Sequence, residues 1–242
     1  MKNATIALAL GGVALTGLLS GCETTAEKSA RLERTAHHNR PVERGLTIAK
    51  RSADVHVLSA MIVHAGEGNA AVVTLRNNSG HTLKGVPIAI TVKDARGGTL
   101  FQNNAPGLEA ALTSLASLPA HGEATWIDDQ VQASGAPARV SAIAGEAPTA
   151  SGSVPRIEVQ SVHLSEEGGG TGAAGTVRNR SKVTQQNLVV YVLARRTGRI
   201  VAAGRAVLPE VAAGASLPFQ AFFVGSPNGG NLEASAPATT LG

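Results

Sequence analysis

An internal repeat limits what this chain can fold into more than any other feature of its sequence. The segment Leu75-Arg76-Asn77-Asn78-Ser79 leads into the alternating run Val86-Pro87-Ile88-Ala89-Ile90-Thr91-Val92 and a turn at Asp94-Ala95-Arg96-Gly97. A second copy, Val177-Arg178-Asn179-Arg180-Ser181, leads into Leu188-Val189-Val190-Tyr191-Val192-Leu193 and a turn at Arg195-Arg196-Thr197-Gly198, offset by 102 residues at the Arg-Asn pair (178 minus 76). Period-two apolar runs rich in β-branched residues suit pleated strands with one buried face, and the Asn, Ser and Gly clusters between them are turn formers. A unit repeated at this spacing requires two modules of roughly ninety to a hundred residues, each long enough to bury a core.

The first module is expected over residues 52–148, with strands at Val55–Val63, Ala70–Arg76, Val86–Lys93, Thr99–Gln102, Leu112–Leu118, Glu123–Asp128 and Arg139–Ala144. The second is expected over 154–242, with strands at Arg156–Leu164, Gly172–Asn179, Leu188–Ala194, Ile200–Val207, Ala215–Phe223 and Asn231–Ala234. Six or seven short strands with a turn every ten residues or so predict an all-β chain of two tandem immunoglobulin-like β-sandwich domains. Pro87 has no N–H for a ladder, so its end of the strand is expected at an edge or a strand start. Asn103 to Ala111 reads as an insertion in the first copy, a loop with room for a helical turn. Residues 149–153, small and polar, read as a linker that lets the two modules bend. With aromatics at 2%, the cores must be built from small aliphatic side chains.

Each repeat resembles the FxLYD-type domain, an immunoglobulin-like module of bacterial envelope proteins and lipoproteins. The resemblance rests on Leu75, Asn77 and Ser79 with Val92-Lys93-Asp94 and Gly97, and on Val177, Asn179 and Ser181 with Leu193-Ala194-Arg195, Gly198, Gly214 and Phe219. Neither copy has the Tyr of that pattern, and the second lacks its Asp. The motifs are structural, so the resemblance implies a fold and brings no catalytic residues.

The N-terminus carries a different kind of signal. Met1-Lys2-Asn3 supplies one positive charge, and Ile6 to Leu19 is an uncharged, mostly apolar run of 14 residues (19 minus 6, plus 1). That is shorter than the ~20 residues a membrane-spanning helix needs, and it fits the apolar region of a secretory signal over residues 1–21. The run ends on Leu19-Ser20-Gly21-Cys22, which resembles the bacterial lipobox, and Cys22 is the only cysteine in the chain. The resemblance implies lipidation of Cys22 as the mature first residue and anchoring to a membrane without spanning it; two or more acyl chains hold durably where one is marginal. Glu23 follows the Cys where an Asp favours retention on the inner membrane, so in a two-membraned cell the expected address is the outer membrane facing the periplasm. Residues 22–51 after it are polar and mixed in charge, and are expected to form a flexible tether.

Composition and motifs exclude more chemistry than they suggest. The formal charge of +4 falls to about +3 without Lys2, and the basic residues are scattered outside the tether, which argues against a nucleic-acid partner. Gly170-Thr171-Gly172-Ala173-Ala174-Gly175 spells a dinucleotide-binding pattern but is followed by a predicted strand, and Arg195 and Arg196 stand where an acid is needed, so it reads as a hairpin loop. Asn77-Asn78-Ser79 and Asn179-Arg180-Ser181 fit the glycosylation sequon but are better read as strand-end turns whose side chains cap the backbone. The seven histidines, His37, His38, His56, His64, His81, His121 and His163, hold no metal-ligand spacing, and no nucleophile, base and orienting group share a recognisable motif. The expectation is therefore a non-catalytic, lipid-anchored envelope protein that binds another protein and carries no cofactor. The alternative is a metal or small-ligand binder using the histidines. Because Leu188 to Leu193 is uninterrupted, Leu188, Val190 and Val192 are expected to form an open edge available to a partner.

Overall fold

The structure is a computed structural model that describes residues 44–66, 68–166 and 170–242. The expected signal segment, Cys22, His37, His38 and most of the expected tether lie outside the described residues. The rest is all β, apart from a 3-10 turn at Ala110–Leu112. The first half contributes β1 (Val55–Ala65), β2 (Gly68–Asn77), β3 (Leu83–Lys93), β4 (Thr99–Gln102), β5 (Ser114–Leu118), β6 (Glu123–Asp128) and β7 (Arg139–Ala144). The second contributes β8 (Ile157–Ser165), β9 (Gly172–Asn179), β10 (Gln185–Arg196), β11 (Arg199–Val211), β12 (Ser216–Phe222), β13 (Val224–Gly225) and β14 (Asn231–Ser235).

Every pairing is antiparallel, and the two halves share one topology. In the first, β1-β2-β6 form one sheet, while β3 pairs with β4 and β5 and, separately, with β7. In the second, β8-β9-β12 form the matching sheet, and β10 pairs with β11 and β14. Each half is thus an immunoglobulin-like sandwich. In β3 the alternation predicted from sequence is present: Val86, Ile88, Ile90 and Val92 are buried, whereas Pro87, Ala89 and Thr91 are half-exposed.

Two strands break that alternation, and the reason fixes the architecture. In β2, Ala70, Ala71, Val72 and Val73 are all buried; in β10 every residue from Leu188 to Ala194 is buried. A strand buried on both faces lies between two layers. Leu188, Val190 and Val192 point into the second sandwich's core with Val177, Phe219 and Ala221, while Val189 and Tyr191 join the core of the first sandwich together with Ala203. The β1-β2-β6 sheet of one sandwich therefore packs against the β13-β11-β10-β14 sheet of the other. Val224 beside Gly68 and Gly225 beside Val63 extend the same contact, and Gly225 (φ +99) leaves no room for a side chain there.

Several sequence expectations change as a result. Leu188, Val190 and Val192 offer no exposed apolar edge: all three side chains are fully buried, and β10 is hydrogen-bonded to β11 along its length and to β14 from Tyr191 to Arg195. Their run is uninterrupted because both faces are covered. Residues 44–51, assigned to the tether, lie on the first sandwich instead. Gly45 sits so close to the Asn104 carbonyl that a Cβ would overlap it, Ile48 packs beside Gly145, and Ser52 N–H donates to the Ala144 carbonyl at 3.0 Å. The linker is not free to bend either: Ala150 N–H donates to Thr82 at 2.7 Å, and Ser153 and Gly242 exchange two backbone hydrogen bonds. Pro87 is the fifth residue of β3 and not its start. It is tolerated because the ladder to β7 begins only at Ile88, and its carbonyl accepts from Gly145 N–H at 2.9 Å.

Candidate functional site

The repeated Asn-x-Ser motif is a structural joint. Asn77 and Asn179 are both completely buried. The Asn179 amide nitrogen lies within hydrogen-bond distance of the carbonyls of Val183 (2.8 Å), Val211 (3.1 Å) and Ala212 (3.1 Å), while its oxygen accepts from the N–H and hydroxyl of Ser181. Asn77 repeats this toward His81, Leu118 and Pro119, with Ser79 as donor. One side chain thereby ties the end of β2 or β9, the loop after it and the turn before β6 or β12. The turn reading of the sequon is the one this geometry supports, since a buried amide engaged on every side offers nothing for modification. His121 in the first copy and Gly214 in the second occupy equivalent turns, both left-handed (φ 53 and 72), and their N–H groups donate to the Ser79 and Ser181 carbonyls.

The glycine-rich segment runs straight into β9 and precedes no helix. Gly175 is packed beneath the Phe219 ring, with room for a Cβ denied at 2.8 Å by that ring and at 2.9 Å by the Gln160 carbonyl. Close packing explains this glycine, and nothing there is arranged to receive a pyrophosphate.

The sheet margins are blunted. β1 carries a bulge between Val57 and Ser59, and β8 carries one between Gln160 and His163 where Ser161 is left-handed (φ 54). β12 has Pro218 within it. Bulges and prolines are the devices by which edges avoid adding a strand.

What does concentrate polar chemistry is the contact between the sandwiches. Arg205 on β11 stands directly across from Tyr191 on β10 and reaches into the first sandwich. Its Nε donates to Asp129 Oδ1 at 2.8 Å and its backbone N–H to Asp129 Oδ2 at 3.1 Å; its Nη2 lies 3.5 Å from Glu109 Oε2. The Arg205 side chain is only 4% exposed. Its Nη1 is the one buried side-chain nitrogen or oxygen among the described residues with no hydrogen-bond partner, a rarity in a folded interior. Beside this pair, Asp128 is buried and its carboxyl is pushed up to about 6, chiefly by burial; the Gln130 N–H bonded to Oδ1 at 2.9 Å and the Arg205 charge oppose the rise, and the neighbouring Asp129 adds to it. Burial likewise holds the Tyr191 phenol well above its usual range.

Glu109 belongs to the segment read as an insertion, which is built into the fold of the first sandwich. Asn103 is buried, accepts from Ile90 N–H at 2.8 Å and donates to the carbonyls of Ile88 and Leu112, filling the place along β3 between β4 and β5. Trp126 Nε1 donates to the Ala111 carbonyl at 2.8 Å. The same segment walls a groove of about 460 Å³ between the sandwiches, faced on the other side by Gln186, Asn187, Val189, Tyr191 and Val207.

Sequence reasoning singled out none of Arg205, Asp129, Glu109 or Tyr191 as acting together. Two signals were available: the unbroken apolar runs in β2 and β10, and an arginine inside the otherwise apolar stretch Val201-Ala202-Ala203-Gly204-Arg205-Ala206-Val207. The histidines do not assemble: among the described residues, no three His, Cys, Asp or Glu side chains are grouped as a metal site.

Comparison with known proteins adds little. No family model matches the chain, and no curated protein matches it. Among solved structures, red sea bream transglutaminase matches with 12% identity and a TM-score of 0.25, over 90% of this chain and 32% of that one. The chain thus spans about a third of that protein, and a likeness this slight carries no argument about activity.

Proposed function

We propose that the protein is a non-catalytic, lipid-anchored component of a cell envelope whose paired sandwiches serve as one interaction body. The observation that carries this reading is Leu19-Ser20-Gly21-Cys22 at the end of a 14-residue apolar run, with Cys22 the only cysteine. Two or more acyl chains on Cys22 would hold the chain on a membrane durably, and in a two-membraned cell the outer membrane facing the periplasm is its address. The resemblance of both repeats to the FxLYD-type envelope module agrees with this address. Packing of the sandwiches through β2 and β10 supports a single presenting body over two beads on a string. The partner in this reading is another envelope protein.

The test is mass spectrometry of the mature protein from the membrane fraction, together with the Cys22→Ser variant. An acylated Cys22 as first residue, and release or non-processing of the variant, are the expected results. An unmodified Cys22 thiol in membrane-purified protein would remove the basis of the proposal.

A further inference from the structure

We propose that the groove between the two sandwiches is a binding site for a small organic cation, an ammonium group carried on an apolar body, with Glu109 as its counter-ion. At about 460 Å³ the groove falls within the size range of small-molecule sites, which favour domain interfaces of this kind. Its walls are mostly apolar: Ala111 and Ala116 of the first sandwich share it with Val189, Val207 and Tyr191 of the second. Val207 is 42% exposed, a large apolar side chain that the fold leaves in water, and the apolar body of a ligand would cover it.

Charge decides the head group. Glu109 is the only charged side chain that lines the groove. It is largely exposed, and its Oε2 stands 3.5 Å from Arg205 Nη2, beyond ordinary hydrogen-bond length. Arg205 is engaged elsewhere: its Nε and backbone N–H both donate to Asp129, and its side chain is buried. One guanidinium between two carboxylates leaves an excess of negative charge, and of the two carboxylates the one that lines the groove is the more exposed. A cation is therefore attracted there and an anion repelled. A second observation marks the same place. Asn187 lines the groove from within β10, yet its backbone is left-handed (φ 48). The equivalent residue of the first copy, 102 positions earlier (187 minus 102), is Gly85, which takes the same conformation (φ 58) without strain. The second copy thus keeps an amide side chain where glycine costs less, and strain of this kind gathers at ligand clamps. Asn187 adds an uncharged acceptor to the groove that Glu109 charges.

Titration of the full chain with hexylammonium, hexanol and hexanoate, followed by NMR of the backbone amides at low ionic strength, tests the site. Hexylammonium should give saturable shifts at the amides of Ala111, Asn187 and Val207 and should bind more tightly than either isostere. Glu109→Gln should lose about five- to tenfold in affinity for hexylammonium, falling to the level of hexanol, and should bind hexanol as the wild-type protein does. Asn187→Gly should be at least as stable as wild type in urea and yet bind hexylammonium more weakly, a separation that a purely structural role would not give. Three results would overturn the proposal: no saturable shift at these amides, hexanoate bound as tightly as hexylammonium, or an affinity for hexylammonium that Glu109→Gln leaves unchanged. Unaltered binding by Asn187→Gly would overturn the part given to Asn187.

Discussion

Replacing Asn179 with Ala should be among the costliest single changes in the second sandwich, and its size follows from the bonds it removes. The amide nitrogen lies 2.8 to 3.1 Å from three carbonyls and the oxygen accepts from the Ser181 N–H at 3.0 Å, all at a residue with no exposed surface. Alanine removes the two amide hydrogens shared among these carbonyls and the acceptor of the Ser181 N–H, while the Val183 carbonyl keeps the Ser181 hydroxyl and the Ala212 carbonyl keeps the Ala215 N–H. At about 1 kcal/mol for each of these three buried hydrogen bonds lost, the cost is roughly 3 kcal/mol. That is a large part of the 5–15 kcal/mol by which typical domains are stable. Ser181→Ala, which removes only the hydroxyl bridging Asn179 and the Val183 carbonyl, should cost about 1 kcal/mol. Asn179→Asp gives an independent sign check. It keeps the acceptor contacts to Ser181 but turns a carboxylate toward three carbonyls, so its folded-state acidity is weakened and its deficit should shrink as pH falls and the carboxyl protonates. Urea unfolding followed by far-UV circular dichroism measures all three. A loss below 1 kcal/mol for Asn179→Ala, or a deficit for Asn179→Asp that grows in acid, would refute the claim that this side chain is the joint of the repeat.

Three further outcomes follow from individual sites. Asp128→Asn keeps an acceptor for the Gln130 N–H and removes the buried charge; because the folded carboxyl is raised from 3.8 to about 6, its ionisation costs stability above pH 6, so the variant should be more stable at pH 7 by about 2–3 kcal/mol and its advantage should vanish below pH 4 in urea titrations. Gly175→Ala drives a methyl into the Phe219 ring and the Gln160 carbonyl and should lower stability by about 1–3 kcal/mol, with a lowered thermal midpoint as the readout. His121→Gly places in the first copy the residue that the second copy uses at the same left-handed turn, and should stabilise by roughly 0.5–1 kcal/mol; destabilisation would mean that the His121 side chain contributes more than its backbone strain costs.

The repeat made the sandwiches legible because strand periodicity and turn chemistry are local properties. The predicted Thr99–Gln102, Glu123–Asp128, Arg139–Ala144 and Gly172–Asn179 coincide with β4, β6, β7 and β9. What sequence did not reveal is non-local. An unbroken run such as Leu188 to Leu193 states that both faces are covered, but not by what, and the cover is the β1-β2-β6 sheet of the other half of the chain. Asn103 fell in a segment that looked like loop because its work, standing in for a strand along β3, depends on a neighbour fixed only by the tertiary fold. Arg205 was one arginine among many until its partner Asp129 was placed opposite it.

The central claim is that the two sandwiches are joined into one body through β2 and β10. Its most direct test uses Trp126, the only tryptophan, which is buried in the first sandwich and so reports that half, while far-UV circular dichroism reports both. Urea unfolding of the full chain by the two probes should give superimposed transitions with one midpoint. A fluorescence transition clearly separated from the dichroism, with one half melting while the other stands, would contradict the account.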